Sequence, residues 1–155
     1  MIHRLIANLK TGATTYRTGL LQAKAYRLLK QTTSQALRKY HISTLDWAML
    51  GLLYDHPKGL RFNVVAKTLS VEAAFVTALA EELVTKKLLI ITPDPQDRRA
   101  KVITLTAHAR ALVPEIEKVL RQSVKGLLSG IQRRSLLTYL DVLARIVDNA
   151  ESSSR

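Results

Sequence analysis

The chain contains no cysteine among its 155 residues. This absence excludes a disulfide framework, cysteine-ligated zinc and a thiol-based redox sensor. Helix breakers are also few, with six glycines and four prolines, so long helical stretches are possible. No apolar run approaches the roughly 18 residues that a membrane-spanning helix needs. These absences fit a single-domain cytoplasmic protein that does not enter a membrane.

Acidic residues are scarce, at 12 Asp and Glu against 24 Lys and Arg, which gives a formal net charge of +12. The first 40 residues contain no acid at all. A chain this basic is expected to meet a polyanion, and nucleic acid is the leading candidate. An anionic membrane surface and a merely solvated basic face are the alternatives.

Arrangements typical of metal sites and active sites are missing from the sequence. The histidines at positions 3, 41, 56 and 108 are isolated from one another, and no Gly-rich phosphate loop is present. No Ser/His/Asp set or pair of carboxylates has a spacing that indicates catalysis. We therefore expect neither an enzyme nor a bound metal or cofactor.

Most of the chain has apolar residues at helical spacing. This pattern predicts a short helix over 1–10, a long one over 16–40 and a last one over about 133–150. A further helix should begin at the capping pattern Ser43-Thr44-Leu45-Asp46 and end before His56-Pro57-Lys58-Gly59. Another should begin after Thr106 and reach about Leu128.

The centre of the chain combines two helices with a hairpin. A short helix over about 61–69, the turn Ser70-Val71 and a second helix over about 72–87 have helix-turn-helix spacing. The apolar stripe of the second helix is predicted to comprise Phe75, Val76, Leu79, Leu83 and Val84. Two β-like runs, 88–91 and 102–105, then flank a loop with two prolines. The fold class is thus mainly α with a small β-hairpin wing, a winged helix-turn-helix.

The hairpin also has the most specific motif. The stretch Asp94-Pro95-Gln96-Asp97-Arg98-Arg99-Ala100, followed by the Leu105-Thr106 step into a helix, resembles the wing of the MarR family of transcription regulators. The order of predicted helices along the chain is also similar to that family. The resemblance implies a homodimeric repressor that binds a pseudo-palindromic operator and is released by a small aromatic or lipophilic ligand. It divides the chain into a DNA-binding region, 41–105, and a helical dimerisation region, 1–40 with 106–155.

Arginine at the tip of a wing can enter the minor groove, and the resemblance gives this role to Arg98 or Arg99. Asp97 has the same sign as phosphate, so we expect it to orient an arginine or cap the turn. Phosphate contacts are expected from Arg61, Asn63 and Lys67, with Lys86 and Lys87 as weaker candidates.

The recognition helix has few groups for direct readout of bases. Its candidate DNA-contacting residues are Glu72, Ala74, Phe75, Thr77 and Ala78. The alanines and Thr77 could contact thymine methyl groups, and Glu72 could accept a hydrogen bond from cytosine or interact with the helix dipole. Three hypotheses stay open: A·T-rich DNA bound mainly through wing, phosphates and shape; binding with low discrimination; or lost DNA binding.

A ligand cleft could be lined by aromatic side chains, with Tyr16, Tyr40, Trp47 and Tyr54 as the candidates. Aromatic residues at helical spacing are more often part of a hydrophobic core. The competing function from another class is a basic helical interaction module, in which the wing has no role and DNA binding is weak or non-specific.

Overall fold

The computed structural model describes residues 15–97 and 99–153. The chain forms two compact units, one up to Val124 and the other from Lys125 onward. The predicted mainly helical fold with a small β-hairpin is confirmed. The helix predicted over 1–10 lies outside the described residues.

The first long helix, α1, spans Thr15–Leu37 and continues into a 3-10 turn over Arg38–Tyr40. The next helix, α2, spans Thr44–Asp55. Its predicted capping box is present: the Ser43 hydroxyl accepts a hydrogen bond from the Asp46 amide at 3.0 Å, and the Ser43 amide donates to the Asp46 carboxylate at 2.7 Å. Two of the amides that a helix start leaves unpaired are thereby satisfied.

The predicted helix-turn-helix is confirmed as α3, Phe62–Leu69, and α4, Ala73–Thr85. Between them Ser70 adopts the left-handed conformation, with φ of 54°. The predicted apolar stripe of α4 is partly wrong. Phe75 and Val84 are 51% and 38% exposed, while Ala80 is buried in the stripe instead. Large apolar side chains on the flanks of this helix are too far from the core to pack into it.

The wing belongs to a three-stranded antiparallel sheet of β1, Leu60–Arg61, β2, Leu89–Pro93, and β3, Lys101–Leu105, in the order β1-β3-β2. The sequence did not predict β1, because two residues have no periodicity to detect. β2 also extends two residues beyond its predicted end and includes Pro93, which pairs with Lys101. An edge strand tolerates proline because one row of its amides needs no partner.

Helices and sheet enclose one hydrophobic core. It is formed by the end of α1, by α2 to α4, by the hairpin and by the next helix, α5, which spans Ala107–Val124. The largest fully buried side chains are Leu37, Met49, Leu50, Leu53, Val65, Val76, Leu83, Ile103 and Ile116. Thr106 caps α5 by accepting from the Ala109 amide at 3.0 Å. The helix ends four residues before the predicted Leu128, where Gly126 disfavours helix.

The second unit contains α6, Arg133–Ser153. All of α6 is described, and none of its side chains is buried. Its exposed apolar residues include Leu137, Leu140, Ile146 and Val147.

Within the described ranges, no single helix has both the length and the apolarity to cross a membrane. Among these residues, only α3 and α4 taken together are long and apolar enough, and they are bent by 108° at their junction.

Candidate nucleic-acid interface

The first two turns of α4 present a small apolar surface. The buried face of α4 is formed by Val76, Leu79, Ala80 and Leu83. Helical spacing puts Ala74 and Ala78 opposite that face, with Phe75 on one flank and Thr77 on the other. All four of these predicted contact residues are exposed.

Hydrogen-bonding groups are scarce on this surface. The Thr77 hydroxyl donates to the Ala73 carbonyl at 3.1 Å, so its proton is used within the helix. Glu72 is the N-cap residue of α4, but its exposed carboxylate makes no side-chain capping hydrogen bond. Its carbonyl accepts from the Phe75 and Val76 amides instead. The carboxylate can therefore act only as an acceptor or as a charge near the helix N-terminus.

The loop of the wing is closed by hydrogen bonds that Asp97 accepts from backbone amides. The Asp97 carboxylate accepts from the Arg99 amide at 3.0 Å, and its carbonyl accepts from the Ala100 amide at 2.8 Å. The expectation that Asp97 caps the turn is thus confirmed. Arg99 is exposed on this loop. Arg98, the other predicted minor-groove residue, lies outside the described residues.

The base of the wing is joined to the helix-turn-helix through Arg61 and Asp94. The Arg61 Nε donates to Asp94 Oδ2 at 2.5 Å, and the Gln96 amide donates to Asp94 Oδ1 at 2.7 Å. The Asp94 amide in turn donates to the Ala100 carbonyl at 2.9 Å. The sequence did not indicate this role for Asp94, because its partner lies 33 positions earlier and no local pattern links the two.

The contact between Arg61 and Asp94 shifts the pKa of both side chains. The Gln96 amide and the Arg61 guanidinium lower the pKa of the Asp94 carboxyl below its ordinary value of 3.8. The hydrogen bond to Asp94 raises the pKa of Arg61. Asp94 is only 7% exposed, whereas the Arg61 side chain is 41% exposed. The guanidinium thus keeps an accessible edge that can donate to a phosphate.

The other predicted phosphate-binding residues flank the same region. Asn63 and Lys67 are exposed on α3, and the Asn63 side chain accepts from the Val64 amide at 2.9 Å. Its amide NH₂ group is the part that can donate to a phosphate. Lys87 is exposed immediately after α4.

Lys86 is held by acceptors of the protein itself. Its ammonium donates to the His41 carbonyl at 2.8 Å and to Glu82 at 2.6 Å, and lies 3.8 Å from Asp46 Oδ2. Asp46 is buried, and its Oδ1 has no hydrogen-bond partner among the described residues. Lys86 therefore joins the end of α4 to the start of α2, which makes it a weak candidate for phosphate contact.

Two clefts lie in the described part of the first unit, and one of them is lined by predicted ligand residues. One of about 460 Å³ includes Trp47 and Tyr54 and extends to Val113 and Arg121. Another, of about 550 Å³, is lined by Tyr26, Leu29, Lys30, Thr33, Thr44, Leu45 and Ala48.

The remaining candidate ligand residues lie elsewhere. Tyr16 is 66% exposed near the start of α1, and Tyr40 packs against the hydrophobic core with the Lys39 ammonium 4.8 Å from its ring centre. Tyr26, which lines the larger of these two clefts, is not among the four candidates from the sequence. Across 15–97 and 99–153, no three His, Asp or Glu side chains are grouped so that they could hold a metal ion.

Comparison with known proteins agrees with this geometry. A sequence model of the MarR family matches residues 42–100, which contain the helix-turn-helix and most of the wing. The HTH-type transcriptional repressor NicR of Pseudomonas putida is 24% identical over 139 residues, covering 90% of this chain and 87% of NicR.

Solved structures show the same architecture. The S. aureus MepR–DNA complex is 27% identical, with a TM-score of 0.73 over 88% of this chain and 99% of MepR. Bordetella bronchiseptica BpsR, whose DNA binding is regulated by 6-hydroxynicotinic acid, is 25% identical, with a TM-score of 0.73 over 84% of this chain and 92% of BpsR. The family match over residues 42–100, the winged helix-turn-helix and these neighbours agree, and the chain is similar to the MarR family of transcription regulators.

Proposed function

We propose that this protein is a dimeric repressor that binds a pseudo-palindromic, A·T-rich operator in duplex DNA through α4 and the wing. The observation that carries the proposal is the closed wing loop, in which the Asp94 and Asp97 carboxylates accept from backbone amides and Arg99 is exposed. The net charge of +12 supports a polyanionic partner. MarR-family proteins are transcription regulators rather than enzymes, and we propose a cytoplasmic location for this one.

The wing supplies positive charge where the minor groove is most negative. Arg98 and Arg99 are adjacent in the sequence, and the turn at Asp97 holds the backbone amide of Arg99. An arginine presented from a fixed loop loses less entropy on insertion than one on a mobile segment. A narrow A·T-rich minor groove attracts such a side chain most strongly. Arg61, Asn63 and Lys67 would add phosphate contacts beside it.

Dimerisation is supported by apolar surface that a single chain leaves uncovered. The apolar side chains of α6 recur at helical spacing, yet none of them is buried. On α1, Leu20 and Leu28 are also exposed. An exposed apolar stripe along a helix is typical of an interface. We propose residues 1–40 and 106–155 as the dimerisation region and residues 41–105 as the DNA-binding region.

A small aromatic effector is proposed to release the operator. BpsR responds to 6-hydroxynicotinic acid, an aromatic carboxylic acid. In this chain the cleft of about 550 Å³ offers the ring of Tyr26, with the Lys30 ammonium 5.7 Å from the ring centre. An aromatic ring and a cation suit an aromatic carboxylate. Tyr16 and Tyr40 stay candidates from the sequence, and Trp47 and Tyr54 belong to the other cleft.

The proposal is tested by titrating the full chain against duplex DNA at two salt concentrations. Affinity should fall with salt, with a slope of about 0.9 per neutralised phosphate. Arg98→Ala with Arg99→Ala should weaken binding and reduce the slope. Arg133→Ala with Arg134→Ala is the matched control, because it removes the same charge from an exposed arginine pair on α6. Equal loss in both double variants would favour the competing basic interaction module, with no role for the wing.

The dimer is tested by sedimentation of a Leu140→Glu, Val147→Glu variant. Both side chains are exposed apolar residues of α6, so the substitutions disturb no core contact of a single chain. We expect a folded monomer, or insoluble protein if the monomer is unstable. A well-folded dimer would contradict this interface. Arg145→Glu, on the same helix, is the control that should leave the dimer intact.

A further inference from the structure

We propose that the first two turns of α4 recognise thymine through its 5-methyl group, and that Phe75 is the main specificity-determining residue. The surface concerned, here called the α4 apolar patch, consists of Ala74, Phe75, Thr77 and Ala78. The inference rests on the proposed function, since it assumes that α4 enters the major groove. It adds which chemical group of the base this helix detects.

The patch has the shape that such contact requires. Ala74 and Ala78 are one turn apart opposite the buried face of α4, so no long side chain keeps the helix away from the bases. Phe75 stands on the flank of this low surface and is 51% exposed. Covering an exposed aromatic ring with apolar groups is favourable, because it removes apolar surface from water.

The alternative, readout by hydrogen bonds, has almost no groups to support it. Ala74, Phe75 and Ala78 have none in their side chains, and the Thr77 proton is donated to the Ala73 carbonyl. The Thr77 oxygen and the Glu72 carboxylate are left, and both can only accept a hydrogen bond. In the major groove, thymine alone among the four bases presents a methyl group. A surface of methyl groups and one ring therefore distinguishes thymine better than any other base.

Charge limits the contact to this end of the helix. Glu81 and Glu82 are exposed in the second half of α4 and have the same sign as phosphate. The Glu82 carboxylate already accepts from Lys86 at 2.6 Å. The acidic half should stay away from the DNA backbone, so the helix would approach the groove with its N-terminal turns.

The test compares two duplexes of about 24 base pairs, long enough for two half-sites one helical turn apart. One has alternating A·T pairs, and the other has uracil in place of every thymine. Uracil has the same hydrogen-bonding edge and lacks only the methyl group. The wild-type chain should bind the uracil duplex more weakly, by about fourfold for each methyl group that the patch covers in the thymine duplex.

Variants assign the effect to the patch. Phe75→Ala should bind the two duplexes with nearly equal affinity. Thr77→Ser removes one methyl group, keeps the hydroxyl, and should reduce the thymine preference by up to about fourfold. Val84→Ala is the matched control, an exposed apolar residue in the second half of α4 that should keep the full preference. Any change of DNA shape on removing the methyl groups affects all variants alike and cancels in the comparison.

The outcomes separate this inference from the proposed function. Equal wild-type affinity for both duplexes would overturn methyl recognition and leave DNA binding intact. A thymine preference that persists in Phe75→Ala and Thr77→Ser would assign it to DNA shape and also overturn the inference. No binding to either duplex at low salt would overturn the proposed function itself. The thermal midpoint of each variant checks that it is folded.

Discussion

The Arg61 Nε donates to Asp94 Oδ2 at 2.5 Å, and this contact joins the residue before α3 to the first residue of the wing loop. The same carboxylate accepts from the Gln96 amide through its other oxygen. Asp94 thereby fixes the loop internally and also relative to the helix-turn-helix. Two parts of the candidate interface that are far apart in the sequence are held in one arrangement by the protein itself.

Removing the Asp94 carboxylate should impair DNA binding more than folding. Asp94→Ala leaves the Gln96 amide and the Arg61 guanidinium without their acceptor, so the wing loses its fixed position. We expect duplex affinity to fall about tenfold, which corresponds to roughly one charge-assisted hydrogen bond. Fluorescence anisotropy measures this loss. Asp55→Ala, which removes an exposed carboxylate at the end of α2, is the control; equal affinity of wild type and Asp94→Ala would contradict the prediction.

The free energy of unfolding should depend on pH through the Asp94 carboxyl. The pKa of Asp94 lies below its ordinary value of 3.8 in the folded protein, so the unfolded chain takes up this proton first as pH falls. The stabilisation is fully present above the ordinary pKa and is lost as pH falls through the folded pKa. The free energy of unfolding, measured with urea between pH 6 and 3, should therefore decrease less with falling pH for Asp94→Asn than for wild type. Parallel curves would contradict this assignment.

Gly59 should not tolerate a side chain. Its φ is 82°, and a Cβ there would lie 2.5 Å from the Val102 and Thr104 side chains and 2.6 Å from the Ile103 carbonyl. We expect Gly59→Ala to lower the free energy of unfolding by at least about 2 kcal/mol, since strain and overlap add. Gly51→Ala is the control. Its Cβ would meet nothing within 4 Å, so helix propensity should raise stability by up to about 1 kcal/mol.

Lys86 and Lys87 should differ although they are adjacent. Lys86→Ala removes the donor to the His41 carbonyl and the cation near buried Asp46, so we expect a loss of about 1–2 kcal/mol in the free energy of unfolding. Lys87→Ala should leave stability nearly unchanged, because the Lys87 side chain is exposed. Thermal or urea unfolding measures both. Equal stability of the two variants would show that the Lys86 contacts contribute little.

Local patterns in the sequence predicted most of the helices and the presence of the wing. The Ser43–Asp46 capping box, the turn at Ser70 and the cap at Thr106 all formed where their residue types indicated. Each depends on hydrogen bonds between residues at most a few positions apart. Such contacts are specified by the neighbouring residues alone.

Contacts between distant residues could not be predicted in the same way. The β1 strand exists because Leu60 and Arg61 pair with Ile103 and Val102, and nothing local in two residues requires it. The sequence assigned Phe75 both to the apolar stripe and to the DNA-contacting residues, and only the structure shows that its side chain is exposed.

The sequence by itself determined the basic charge, the helical periodicity, the caps and the Asp94–Ala100 wing motif, because each is a property of residue types at short spacing. Only the tertiary structure decided that Asp94 holds Arg61, that Lys86 is bound within the protein and that α4 presents an apolar patch. These features depend on which side chains meet across more than 30 positions of chain, and that is fixed by packing around the shared core.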